Sequence, residues 1–159
     1  MVNNEGFKPI AVNRRATHNY ELLEKMEAGL ALVGSEVKAI REGRVNFLDS
    51  FIRIDGGEAY VQNLHIGSYQ PASIFAHEAT RRRKLLLHKR EIRRLLGKAL
   101  EKGLTIVPVR MYFKGSIVKM EIAVARGRKE YDKREVTRKK EARHQMAEAM
   151  KIKLRRIDR

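Results

Sequence analysis

The residues that could do chemistry in this chain are cations, and they come in runs. Arg14-Arg15, Arg81-Arg82-Arg83-Lys84, His88-Lys89-Arg90, Arg93-Arg94, Arg126 to Lys129 and Lys133-Arg134 are the clusters. Repeated cations suit a phosphate backbone, because each neutralised phosphate releases a condensed counterion. The 159 residues hold 35 Lys and Arg against 19 Asp and Glu, a formal net charge of +16. A basic but merely soluble domain explains one or two such clusters; a surplus of this size calls for an anionic partner. Aromatic residues make up only 6% and Trp is absent. A single-strand binder that stacks bases would want more of them. A structured RNA, read by shape, backbone and 2′-hydroxyls, is the better match.

Catalytic patterns are missing. There is no phosphate-binding glycine loop, no Gly-x-Gly-x-x-Gly turn and no Gly-x-Ser-x-Gly elbow. With no Cys, thiol chemistry and Cys-ligated metals are excluded. His18, His65, His77, His88 and His144 are too scattered for a ligand set. His77-Glu78 begins like a zinc-protease helix, but Arg81 stands where the second His is needed. Glu24 with Glu27, and Glu141 with Glu148, read most simply as charge balance among basic neighbours. No enzyme activity, catalytic residue, metal or cofactor is expected. No apolar run approaches the length of a membrane span. Met1 to Lys8 lacks an apolar signal segment, so a cytoplasmic protein is expected, which the lack of Cys also fits.

The elements that must position the cations follow from pattern. Lys8 to Asn13 is a short strand. Tyr20 to Val33 fits a helix through Tyr20, Leu23 and Met26, and fits a strand nearly as well. Ser35 to Glu42 reads as a helix capped by Ser35 and stopped by Gly43, with Val37 and Ile40 inward. Phe51 to Ile54 and Ala59 to Leu64 form a hairpin around Asp55-Gly56-Gly57. Ser68 to Ala79, containing Pro71, reads as a loop. His88 to Lys102 is the clearest helix, its apolar stripe being Ile92, Leu95, Leu96, Ala99 and Leu100. Gly97 within it points to close packing. Thr105 to Phe113 and Ile117 to Ala125 form a second hairpin. There Val118, Met120, Ile122 and Val124 face inward against Lys119 and Glu121, and Pro108 demands an edge or a bulge. Strands in hairpins with few helices fit a mainly β protein, a small closed antiparallel barrel, better than a parallel α/β sheet.

The composition changes after Ala125. The last 34 residues carry 14 Lys and Arg against six Asp and Glu, a net of +8, and little that can be buried. Three regions follow: a flexible N-terminus over 1–7, an RNA-binding domain over 8–125 and a basic tail over 126–159. Alone, the tail is expected to be disordered or loosely helical. Ala142, Met146, Met150, Leu154 and Ile157 form a weak stripe at near-helical spacing, which suits folding on a partner; a solvated tail that docks nowhere is the alternative.

Four segments carry a resemblance. They are Asn13-Arg14-Arg15-Ala16-x-His18-x-Tyr20, Glu27-Ala28-Gly29-x-x-Leu32-x-Gly34-x-Glu36-Val37-Lys38, Arg83-Lys84-Leu85-Leu86-Leu87-His88-Lys89-Arg90-Glu91-Ile92 and Ala125-Arg126-Gly127-Arg128-Lys129-x-Tyr131-Asp132-Lys133-Arg134-Glu135. In order and spacing they resemble the SsrA-binding protein (SmpB) family, from about Lys8 to the C-terminus. The resemblance implies a barrel of the oligonucleotide-binding (OB-fold) type with two or three flanking helices and a basic tail. It turns the ambiguous Tyr20 to Leu32 stretch into strand. It implies an adaptor that binds the tRNA-like domain of transfer-messenger RNA and delivers it to stalled ribosomes, with elongation factor Tu in the delivered complex. The tail would enter the vacant small-subunit decoding centre and mRNA channel and become helical there.

Carried over residue by residue, the RNA-facing positions are Asn13, Glu27, Lys38, Leu86, Lys89, Arg90 and Lys119. The four cations would meet phosphate or sugar. Asn13 would meet a base edge or a 2′-hydroxyl. Glu27 would accept from a base amino group or hold a nearby Arg, or simply form a structural ion pair. Leu86 would pack on an exposed base, or belong with Leu85 and Leu87 to the core. Tyr131, Asp132, Lys133 and Arg134 match the family's decoding-centre motif, and Met146, Met150 and Leu154 would mark the tail helix. One departure stands out: where the family often carries Asp-Pro and a Pro between arginines, this chain reads His77-Glu78-Ala79-Thr80-Arg81-Arg82-Arg83. A different loop path with more charge is expected. The rival readings are a basic ribosomal protein and a small nuclease, the latter lacking the carboxylate cluster it needs.

Overall fold

The computed structural model describes residues 6–68 and 77–157. Residues 1–5 of the expected flexible terminus, and 69–76 of the expected loop around Pro71, lie outside the described residues. The chain begins with β1 (Phe7–Val12), α1 (Arg14–Asn19), β2 (Tyr20–Leu30) and α2 (Gly34–Arg41). It continues through β3 (Val45–Asn46), β4 (Phe51–Asp55), β5 (Glu58–Gln62), β6 (His65–Ile66) and β7 (Arg83–Leu86). It ends with α3 (Lys89–Ala99), β8 (Leu104–Lys114), β9 (Ile117–Gly127) and α4 (Glu130–Ile157). Two compact units result, Met1–Gly127 and Arg128–Arg159.

The first unit is mainly β. Seven strands form one antiparallel sheet in the order β1-β8-β9-β2-β7-β5-β4, and β3 pairs with β6 separately. The expected closed barrel is not formed. The hydrogen-bonded ladder ends at β1 on one side and β4 on the other, and β4 packs against β8 rather than pairing with β1. β1 is suited to an edge, since Pro9 offers no N–H and the register slips between Pro9 and Ala11. Both hairpins form. Gly56 at φ +56° and Gly57 at φ +77° supply the left-handed pair that a two-residue turn between right-twisted strands requires.

β2 is a strand because it has ladder partners on both sides, β9 along most of its length and β7 at its end. Local spacing could not decide this. Pro108 lies inside the sheet, with β8 flanked by β1 and β9, and is accommodated by a register shift between Pro108 and Arg110. The bulge reading holds and the edge reading does not. Val118, Met120, Ile122 and Val124 are buried in the main core while Lys119 and Glu121 stay partly exposed. The opposite face of the same strand is not wholly polar, however. Ala125 packs with Ala16 of α1 and Val107 in a second small cluster, because small side chains let the short helix lie close.

Two helices depart from expectation. In α2 the cap is not Ser35. The Val33 N–H donates to Glu36 Oε2 at 3.0 Å, and Ser35 Oγ instead lies 2.9 Å from His77 Nδ1. Ile40 is fully buried and Val37 half-buried. α3 starts where the His88 N–H donates to Glu91 Oε2 at 2.8 Å. Only Ile92 and Leu95 are buried; Leu96 is 41% and Leu100 79% exposed. The helix touches the sheet by a narrow face, so Leu96, Ala99 and Leu100 of the apolar stripe look outward. A Cβ on Gly97 would meet nothing within 4 Å, which removes the close-packing reading of that glycine.

The second unit carries α4, whose 28 residues are tied along their length by Lys133–Glu130, Lys139–Glu135 and His144–Glu148 pairs. Among the described residues no helix is long and apolar enough to cross a membrane.

Candidate nucleic-acid interface

An open groove of about 940 Å³ lies between the β4–β5 hairpin tip, β7, the start of α3 and the adjoining ends of β2 and β9. Glu27, Leu86, Lys89 and Lys119 all line it, so four of the seven positions expected to face RNA come together. The sheet register explains how. Gly29 stands opposite Leu86 of β7 on one side and opposite Lys119 of β9 on the other. A Cβ on Gly29 would lie 3.0 Å from Leu86 Cβ, so the absence of a side chain there lets Leu86 lean across the strand. Leu86 is 54% exposed while Leu85 is fully buried. Strand alternation thus separates the three leucines: Leu85 belongs to the core, Leu87 packs partly against it, and Leu86 faces the groove.

Glu27 is anchored within the sheet. Its carboxylate accepts a short hydrogen bond from the Tyr112 hydroxyl and lies 3.4 Å from Lys114 Nζ. No Arg is held here; the partners are a phenol and a lysine. The Tyr112 hydrogen bond holds the Glu27 carboxyl below its usual range against an opposing burial penalty, with Lys114 and Lys119 helping. Burial, then the Glu27 hydrogen bond, push the Tyr112 phenol well above its usual range. The pair is therefore a fixed negative acceptor at the rim of a basic groove.

The other three positions lie elsewhere. Lys38 and Arg90 are exposed and line no part of the groove. Asn13 is buried at 7% exposure. Its Nδ2 donates to the Pro108 carbonyl at 2.8 Å, its Oδ1 accepts from the Ala16 N–H at 3.2 Å, and its own N–H donates to Val109. Asn13 caps α1 and ties it to the β8 bulge, so its amide is spent on the fold rather than held out to a base edge.

Arg83 is fully buried, a placement that run composition hides. Its Nε donates to Glu36 Oε1 at 2.7 Å and its Nη1 to the Leu64 carbonyl at 2.7 Å. Arg81 closes on the same carboxylate with Nε and Nη2, both at 2.7 Å. Burial raises the Glu36 pKa, but hydrogen bonds from Arg81, the Val33 N–H and Arg83 outweigh it and hold the group low. Strand alternation was the available signal: position 83 shares its face with the buried Leu85. Arg82 points the other way, its guanidinium 4.0 Å over the Tyr60 ring.

In the second unit, Tyr131 is 65% exposed at the start of α4, with Asp132 and Lys133 half-buried and Arg134 exposed. The neighbouring Asp132 charge pushes the Tyr131 phenol up, keeping it neutral. Met146, Met150 and Leu154 are each more than 60% exposed, at 70, 69 and 62%. Spaced four apart, they form one apolar line along the helix. Among the described residues no group of three or more His, Asp or Glu could hold a metal ion.

Comparison with known proteins adds a second line of observation. The family model described as SmpB protein matches residues 10–152. An SsrA-binding protein of Persephonella marina is 51% identical over 150 residues, covering 94% of this chain and 99% of its own. One from Carboxydothermus hydrogenoformans is 53% identical over 146 residues, covering 92% and 98%. A chain from the solved structure "tmRNA-SmpB: a journey to the center of the bacterial ribosome" is 50% identical, with a TM-score of 0.66 over 77% of this chain and 86% of that one.

Proposed function

This chain belongs to the SmpB family, and from that premise we propose that it is an RNA-binding adaptor for SsrA, the transfer-messenger RNA of ribosome rescue. It takes the tRNA-like domain of that RNA into the groove and delivers it to stalled ribosomes. The observation that carries this reading is the meeting of Lys89, Lys119, Leu86 and Glu27 in one groove, built by three neighbouring strands and a helix start. The two lysines supply phosphate contacts. Leu86 offers an apolar surface for an unstacked base. Glu27, held ionised, accepts from a base amino group and adds selectivity that cations cannot.

Arg90 and Lys38, exposed on α3 and α2, extend the positive surface beyond the groove. Asn13 acts on the fold, through α1 and the bulge. In the tail, Tyr131 to Arg134 meet the decoding centre, and the Met146, Met150 and Leu154 line orders the helix in the mRNA channel. The tail carries the helix α4, and the partner it docks on covers its apolar line. Elongation factor Tu belongs to the delivered complex, and the site of action is the cytoplasm. The curled sheet, with β4 packed on β8, fits an architecture of the oligonucleotide-binding type.

The test is a pull-down of the full-length protein with sequencing of bound RNA. SsrA RNA should dominate, with ribosomes present below one copy per protein. Stoichiometric recovery of ribosomes without SsrA RNA would replace the adaptor with a basic ribosomal protein.

A further inference from the structure

The groove does not end at Lys84. β4, β5 and β7 share an outward face on which Arg53 stands opposite Tyr60, and Tyr60 opposite Lys84. Lys84 and the hairpin tip at Gly56 and Gly57 belong to the groove lining, so this face continues from it. Arg82 lies flat over Tyr60, 4.0 Å from its guanidinium carbon to the ring centroid. Its Nη1 donates to Asp55 Oδ2 at 3.1 Å. The flanking arginines are unavailable, since both are committed to Glu36.

We propose that Arg82, held on Tyr60, is a phosphate anchor for the RNA strand that leaves the groove across β5 and β7. The proposal rests on the RNA-binding reading above. A guanidinium presents donors in a fixed fork that matches two phosphate oxygens. The ring occupies one face of the fork and Asp55 one donor, which leaves Nε and Nη2 for an incoming phosphate. Stacking and the tether remove rotamer freedom before binding, so less is lost when the phosphate arrives. The Asp55 pair is exposed on both sides, at 47% and 57%, and is therefore weak enough for a phosphate to compete with. Arg53 and Lys84, exposed on the same face, add positive potential along the path. Tyr60 is a positioning residue.

The probe is the transcribed tRNA-like end of SsrA RNA, titrated by anisotropy at several salt concentrations. Arg82→Ala should weaken binding about tenfold and make the salt slope shallower by about one unit. Tyr60→Leu should weaken it about threefold with the slope of the parent, since the charge remains but floats. Tyr60→Phe, which keeps the ring, should restore parental affinity. Lys102→Ala, the loss of an exposed charge away from this face, should match the parent in both. Ethylation interference gives a second readout: one phosphate whose modification blocks the parent should be silent in Arg82→Ala. A parental slope for Arg82→Ala, or equal losses for Tyr60→Leu and Tyr60→Phe, would overturn the anchor. Failure of the parent itself to bind would overturn the RNA-binding reading instead.

Discussion

Arg81, Arg82 and Arg83 are consecutive and play three different parts. Arg83 fills the core side of β7 and Arg81 closes over the same carboxylate, while Arg82 turns outward onto Tyr60. The Glu36 cluster is a stability element. Glu36→Gln leaves the buried Arg83 charge short of its counter-ion and should cost about 3–5 kcal/mol in urea unfolding. Its pH dependence has a defined sign. The folded carboxyl titrates below its ordinary value, so its contribution is complete above that ordinary value and is lost as pH falls through the lower folded one. Between neutral and acid pH the parent's unfolding midpoint should fall, and the Glu36→Gln protein should show a smaller fall. Lys89 and Lys119 line the groove, and the proposed function gives them to binding instead. Replacing either by Ala should weaken binding of the tRNA-like RNA and flatten the plot of log K against log salt by about one unit. A parental slope in a titration series would remove that lysine from the set of phosphate contacts.

At the scale of elements, α3 and α4 both expose apolar side chains for lack of a covering neighbour. Gly97 sits on an open surface of α3, so Gly97→Ala should stabilise the protein by about 1 kcal/mol, read as a higher urea midpoint with RNA binding unchanged. Had the glycine been needed for close approach, the same change would destabilise. In α4 the Met146, Met150 and Leu154 line has nothing in its own unit to bury it. Changing all three to Gly raises the cost of holding a helix by about 2–3 kcal/mol and removes the line. Rescue of stalled ribosomes in a reconstituted translation assay should slow markedly, while affinity for the isolated tRNA-like RNA stays at the parental value.

For the molecule as a whole, the chain divides into Met1–Gly127 and Arg128–Arg159, and the proposed function assigns holding the RNA to the first and acting on the ribosome to the second. Deleting 131–159 removes no part of the groove. The truncated protein should bind the tRNA-like RNA with an affinity within about threefold of the parent, after allowance for the lost long-range charge. Rescue activity should be abolished. A truncation that loses most of its RNA affinity would make the tail part of the RNA site.

The sequence by itself determined the charge surplus, the hairpin at Gly56-Gly57, the inward alternation of Val118 to Val124 and the basic character of the last 34 residues. Each is local, written in turn chemistry, in a period of two or in composition. Through its motifs it also carried the family, and with it the strand over Tyr20 to Leu30. Tertiary structure alone decided the rest. Whether a sheet closes depends on the summed twist and bulges of seven strands, and here the ladder stays open between β1 and β4. Which carboxylate neutralises the buried arginine of a run depends on where Glu36 lies after folding. Asn13 became a cap and a tie because the β8 bulge brought the Pro108 carbonyl to it across 95 residues. Such contacts join segments that no window along the chain contains, so only the folded chain could reveal them.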